Sequence, residues 1–173
     1  MAVYKEVISL QSHGGTPTYI NVTEEVKKAI ADSGIQNGIV AVISPHTTCS
    51  VFFEEYVHDV TEDGDEFLQA DLNDILDRIV PQQTSADIYR YPGQAHYDAV
   101  KEWPNYRDYL PTDDPSDLWN GDAHLRSTLL GSSCILDVDN GKLGVGTTGY
   151  VYFVDFDRCQ SRKRKCKIVV IGE

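Results

Sequence analysis

Gly38-Ile39-Val40-Ala41-Val42-Ile43-Ser44 decides the fold: its continuous apolarity fits a strand covered on both faces. Pro45-His46-Thr47-Thr48 follows, and Cys49 to Phe53 is again strand-like, so residues 45–48 form a loop between two buried elements. Loops held by rigid strands are good places for chemistry.

On the N-terminal side, Val3 to Leu10 and Tyr19 to Val22 have strand character on either side of Gly14-Gly15-Thr16-Pro17, which suggests two strands joined by a turn. A helix follows, with Thr23 as its cap, Glu24 and Glu25 at its positive end, a stripe of Val26, Ala29 and Ile30, and Gly34 as terminator. On the C-terminal side, Phe67, Leu68, Leu72, Ile75, Leu76 and Ile79 recur at helical spacing up to Pro81. Gln82 to Asn120 is rich in Tyr, Pro, Asp and Gly without a period, long for a connection in a compact domain, and reads as a functional lid or an ordered excursion. Leu125, Leu129 and Leu130 make a short helical stripe closed by Gly131. The rest is strand: Cys134 to Val138, a hairpin signal at Asn140-Gly141, Lys142 to Val145, Tyr150 to Phe156 and Lys167 to Ile171. The predicted class is α+β, a mixed, largely antiparallel sheet layered with two main helices in one domain over residues 1–173.

A chain of 173 residues with 41% hydrophobic and 24% charged residues has the makings of an ordinary globular core. Its formal net charge of -12 argues against nucleic acid, whose binding draws on clustered cations. No run approaches the roughly 18 apolar residues that a membrane span needs, and no basic-then-apolar leader opens the chain, so a cytoplasmic protein is expected. Cys49, Cys134, Cys159 and Cys166 show no Cys-x-x-Cys pairing and are expected to be reduced.

Chemistry points to histidine. His46 follows the buried strand, His124 opens the short helix in Asn120-Gly121-Asp122-Ala123-His124, and His96 lies in the polar segment between them. Three neutral imidazoles with a vacant position would make an open metal site, and Glu54, Glu55 or Asp122 would supply the carboxylate that moves protons. Such donors suit zinc or another transition metal better than magnesium, which prefers oxygen. In that arrangement Glu55 acts as general acid or base and Asp122 orients an imidazole. The basic connection Arg158 to Lys165, in an otherwise acidic protein, offers Arg158, Arg162, Lys163 and Arg164 to phosphate, or is simply a solvated hairpin tip. Thr47 and Thr48 donate to a phosphate or satisfy their own loop. His13 and His58 are assigned no role.

Pro45-His46-Thr47-Thr48-Cys49-Ser50 with Glu55 nearby, Asn120-Gly121-Asp122-Ala123-His124-Leu125, Leu130-Gly131, Asn140-Gly141-Lys142-Leu143 and Gly146-Thr147 together resemble, in order, the YjbQ-like family of secondary thiamine-phosphate synthases. The resemblance implies a compact α+β fold around a seven-stranded or similar sheet, a homotrimer, and a metal or anion site built from His46, Thr47, Thr48, Asn120, Asp122 and His124. His96 is the nearest match to a further family histidine, and it sits in an insertion at about 85–118. The implied reaction joins a pyrimidine diphosphate to a thiazole phosphate with loss of pyrophosphate, so the partner is a small phosphorylated metabolite, with Arg162 and Arg164 as contacts and a divalent metal, zinc or another transition metal or else magnesium, as cofactor. A non-catalytic trimer that binds a small anion or metal, and metal-assisted hydrolysis of a phosphate ester, are the alternative readings. The chain departs from the family where Glu54-Glu55-Tyr56 replaces Asn-Glu-Asn and Thr147-Thr148-Gly149 replaces Thr-Trp-Gln, so an aromatic ring and an amide expected near the site are missing.

Overall fold

The computed structural model describes residues 1–173. In chain order it contains β1 (Ala2–Gln11), β2 (Thr18–Asn21), α1 (Thr23–Ser33), β3 (Gly38–Ile43), β4 (Cys49–Glu55), α2 (Phe67–Ile79), α3 (Gln94–Lys101), α4 (Gly121–Leu130), β5 (Ser133–Asp139), β6 (Lys142–Gly144), β7 (Gly149–Asp155) and β8 (Lys163–Gly172). Short 3-10 turns at Tyr106–Asp108 and Pro115–Leu118 lie between α3 and α4.

The α+β class holds, but the strands divide into two sheets and every pairing is antiparallel. The larger sheet runs β1-β8-β3-β5-β6 and the smaller β2-β7-β4. The expected hairpin of the first two strands does not form. β1 pairs along its whole length with β8, and β2 crosses over to β7. The Asn140-Gly141 turn does form, both residues at positive φ as a tight β5–β6 turn requires.

Two clusters of apolar side chains explain the layering. Val26, Ala29 and Ile30 of α1, with Val51, Val151 and Phe153 of the smaller sheet, pack on the face of the larger sheet that carries Val40, Val42, Ile168 and Val170. The opposite face of the smaller sheet meets α2 and α4 through Val154, Phe156, Leu76 and Ala123. The strand buried on both faces is therefore β7, buried from Val151 to its end at Asp155, as are the two residues that follow, and not β3. In β3 burial alternates, and Ile39 shares its outward face with Val3, Val7 and Ile135, which are 42%, 58%, 55% and 63% exposed respectively. One face of the larger sheet thus carries an open apolar patch within a single chain, bordered by Lys5, Lys165, Lys167 and Asp137.

Helix ends follow local rules with one correction. Gly34 closes α1 in the left-handed conformation, φ 68°, as expected. Thr23 is not the cap: it is the first helical residue, and its Oγ1 accepts the Val151 N–H at 2.9 Å, tying α1 to β7. α2 begins with a capping box between Glu66 and Gln69. The segment Gln82 to Asn120, expected to be aperiodic, contains α3 and a small apolar cluster of Val100, Leu110 and Leu118.

No helix is long and apolar enough to cross a membrane.

Candidate functional site

β7 leaves the core through Asp155-Phe156-Asp157, with both carboxylates buried. Burying a carboxylate is costly unless it is paired. Here the pairing comes from β8: Arg164 Nε donates to Asp155 Oδ2 at 2.6 Å, and its Nη2 donates to Asp155 Oδ1 at 3.0 Å, Thr48 Oγ1 at 3.1 Å and Asp157 Oδ2 at 3.4 Å. Burial, the largest single influence, would lower the Arg164 pKa, but the Asp155 hydrogen bonds and the neighbouring Cys49, Asp155 and Asp157 together leave it raised. Arg162 Nε donates to the same Asp157 Oδ2 at 3.0 Å. The basic connection is therefore no solvated tip at these two positions: the carboxylates hold both guanidinium groups in fixed orientation at one end of the two sheets.

The histidines arrive from three directions. His46 stands in the β3–β4 loop, where its Nε2 accepts the Lys165 N–H at 2.8 Å. His124 lies in α4, which is fixed on one side by Ser127 Oγ donating to the Cys49 carbonyl at 2.7 Å and on the other by the fully buried Arg126. Arg126 donates to the Val80 carbonyl, from Nε at 3.2 Å and Nη2 at 2.7 Å, and to Asp77. His96 sits on α3 of the insertion, its Nε2 hydrogen-bonded to the Tyr91 hydroxyl at 3.2 Å. Burial pushes the His46 pKa down, aided by Arg164. Burial also lowers that of His124 against the opposing pull of Asp157. Both rings are neutral donors and acceptors near pH 7.

His46, His96 and His124 line one cavity of about 340 Å³, together with Thr47, Thr48, Asn120, Arg162 and Arg164. Eight of the ten candidate residues are thereby brought together. Glu55 is not among them. It is exposed at the far end of β4, opposite Gly149, six residue steps or about 20 Å from Cys49 at a strand rise of about 3.3 Å. Asp122 is buried beneath the cavity: its carboxylate faces Arg126 Nε at 4.0 Å, and burial raises its pKa in spite of Arg158 and Arg126. The residue that touches the cavity as an acid is Asp157. Its signal was present in the sequence, since carboxylates alternating with phenylalanine at the end of an apolar strand must find cations.

Asn120 closes the base. Its Nδ2 donates to Asp157 Oδ2 at 3.5 Å, while Oδ1 is buried with no protein partner. A buried acceptor left empty costs about 1–3 kcal/mol, so it is a place for a donor from a ligand or water. The insertion supplies the opposite wall: Tyr91, Val100, Trp103, Tyr109 and Leu118 face the cavity, and Arg162 stacks over the Tyr109 ring at 5.3 Å. Of these aromatic residues Tyr109 also packs on the Val100, Leu110 and Leu118 cluster, together with Tyr97 and Tyr106, which do not reach the cavity.

The donors do not fit a three-histidine metal centre as arranged. No group of three or more His, Cys, Asp or Glu side chains has metal-holding geometry, and the lone pair of His46 Nε2 is already taken by Lys165.

The UPF0047 protein YjbQ-like family model matches residues 6–173. The chain belongs to this family. A UPF0047 protein of Methanothermobacter thermautotrophicus is 27% identical over the whole chain and 95% of the relative, and one of Archaeoglobus fulgidus is 28% identical over 83% of this chain and 85% of the relative. A YbjQ-like protein of unknown function from Sulfolobus solfataricus superposes with TM-score 0.69 at 23% identity, covering 99% of each chain. A YjbQ/UPF0047 protein of Clostridium acetobutylicum does so with TM-score 0.67 at 26% identity, covering 96% of this chain and 99% of that one. The departure of this chain from the family pattern at Thr147-Thr148-Gly149 lies beside Tyr56, whose N–H donates to the Thr148 carbonyl at 2.8 Å, at the end of β4 away from the cavity. The cavity wall owes nothing to it.

Proposed function

We propose that the cavity binds a small phosphorylated metabolite and that the chain acts on it in the manner of a secondary thiamine-phosphate synthase. The observation that carries this reading is the convergence of two carboxylate-oriented arginines and three histidines on one hollow. The guanidinium N–H groups of Arg162 and Arg164 not engaged by Asp155, Asp157, Thr48 and the Asp108 carbonyl, the histidine ring nitrogens and the Thr47 and Thr48 hydroxyls suit phosphate oxygens, and a pyrophosphate leaving group needs such donors where its charge develops. The buried Asn120 Oδ1 can accept from a protonated phosphate oxygen, whose pKa near 6 leaves that proton partly present at neutral pH.

A non-catalytic anion-binding role is the second reading. It is favoured by the positions of Glu55 and Asp122 outside the cavity, which leave Asp157, already engaged by Arg162 and Arg164, as the sole carboxylate there. A zinc or other transition-metal cofactor, or hydrolysis assisted by one, requires the His46 ring to release the Lys165 N–H. Homotrimer assembly is supported by the open apolar patch of Val3, Val7, Ile39 and Ile135 on the larger sheet, which a second copy would cover. The free cysteines suit a reducing, cytoplasmic setting.

Titration calorimetry with inorganic phosphate and pyrophosphate tests the reading. Binding that weakens about ten- to a hundredfold in Arg162→Met, the loss of one charge-assisted contact, supports it; no binding by the unmodified protein ends it. Turnover of the pyrimidine diphosphate with the thiazole phosphate then separates synthase from binding protein, and a phosphatase panel separates it from hydrolase. Element analysis of the purified protein and of His124→Ala decides the metal: stoichiometric metal lost in the variant would favour it.

A further inference from the structure

A second hollow of about 570 Å³ adjoins the first on the far side of Tyr91, His96 and His124, which line both. Its character is different. Ile88, Tyr89 and Leu125 give it a largely apolar lining in which Arg90 is the one charged side chain, and Ile88 and Leu125, 37% and 45% exposed, meet no core cluster of this chain. The partition is ordered: the Tyr91 ring stands edge-on to His124 at 5.3 Å, and its hydroxyl reaches His96. So is the wall, because the buried Gln83 donates to the Tyr91 carbonyl at 2.6 Å and accepts the Gly121 N–H at 2.8 Å, stapling the insertion to the start of α4. Tyr89 adds a bond from its hydroxyl to the Pro81 carbonyl at 2.6 Å. A preformed apolar hollow that opens beside a polar one is the usual shape of a site for a two-part ligand.

We propose that Ile88, Tyr89 and Leu125 form a specificity subsite that receives an apolar group, a ring or branched chain, carried by the anion held at Arg162 and Arg164. The proposal rests on the binding reading above and adds to it that Ile88 and Tyr89 of the insertion, with Leu125 of α4, select the ligand. The occupant is argued from adjacency: Tyr91, His96 and His124 line both hollows, so the apolar part of a molecule anchored at Arg162 and Arg164 has this hollow as its nearest apolar neighbour.

The test compares inorganic phosphate with phenyl phosphate by calorimetry on the full chain. Phenyl phosphate is expected to bind at least about tenfold tighter, a gain that about 55 Å² of apolar burial supplies. In Ile88→Asp and Leu125→Asp, both at exposed positions, that advantage disappears while inorganic phosphate binds as before. Equal affinity for the two probes in the unmodified protein overturns the subsite and leaves the anion site standing. Absence of binding by either probe overturns both. If the variants instead change the molecular mass by light scattering, the hollow is an interface between copies and the subsite proposal falls.

Discussion

The smaller sheet buries carboxylates at both ends of β7, and the two ends are resolved in opposite ways. At the Asp155 end, Asp155 and Asp157 are met by Arg164 and Arg162, and the cavity forms there. At the Gly149 end, Glu54 Oε2 is buried without a partner, and Glu66 is engaged by the Tyr152 hydroxyl at 2.7 Å and the Val57 N–H at 2.6 Å, with no cation beside either. Burial raises the Glu54 pKa, and the neighbouring Glu66 raises it further. The difference teaches that buried acid alone does not make this site. What distinguishes the cavity end is that its acids orient two arginines that also line the cavity.

The comparison breaks most severely if Arg164 is removed. Arg164→Met leaves Asp155 buried without its bidentate partner, and loss of one member of a buried pair costs about 3–5 kcal/mol. Urea denaturation should show a midpoint lowered accordingly; a loss below about 1 kcal/mol would mean that Asp155 is held by something else. Asp155→Asn together with Arg164→Met should recover part of the loss, since the stranded charge is then gone.

The two ends also titrate with opposite sign. His46 and His124 have folded pKa values below that of the unfolded chain, so the unfolded state binds more protons. Their contribution is full above about pH 6.5 and is lost as pH falls below it. Between pH 7 and pH 5 the protein should therefore lose stability, and His124→Gln should flatten that slope. A slope unchanged in the variant would place the titration elsewhere. Phosphate, bound at the same rings, should oppose the loss.

Much of this architecture could be read from residue pattern. The helical spacing of α2, the Asn140-Gly141 turn and the strand character of β3, β4 and β7 all depend on near neighbours, and all are found. What depends on distant partners was hidden. β1 and β2 look like a hairpin until β8 claims the whole of β1. α3 has one buried residue, Val100, and so offers no apolar stripe to find. The histidines, threonines, Asn120 and both arginines could be picked out because their residue types are chemically conspicuous. Asp122 stands out in the sequence because it lies two residues from both Asn120 and His124, whereas Asp157 reaches the cavity only because β7 and β8 meet in space. Glu55 failed for a geometric reason: a strand carries its two ends apart, and β4 separates Glu55 from His46 by its full length.

The smallest expected effect belongs to the Gly149 end. A carboxyl whose folded pKa is raised binds protons more readily folded than unfolded, so Glu54 weakens the fold as pH rises from about 4.5 through its folded pKa, and the penalty stays constant above that. Glu54→Gln keeps the shape and removes the charge, so it should raise the melting temperature at pH 7 by a few degrees at most and have little effect at pH 4. Because Glu54 is only partly buried, solvent screens the penalty and keeps the gain small. The same substitution should leave phosphate affinity unchanged, since β4 and β7 place it at the end opposite the cavity. A matching gain at both pH values would mean that Glu54 acts through packing and not through charge. A change in phosphate affinity would mean that the two ends of the smaller sheet meet, and in a chain of this fold only a second copy could bring them together.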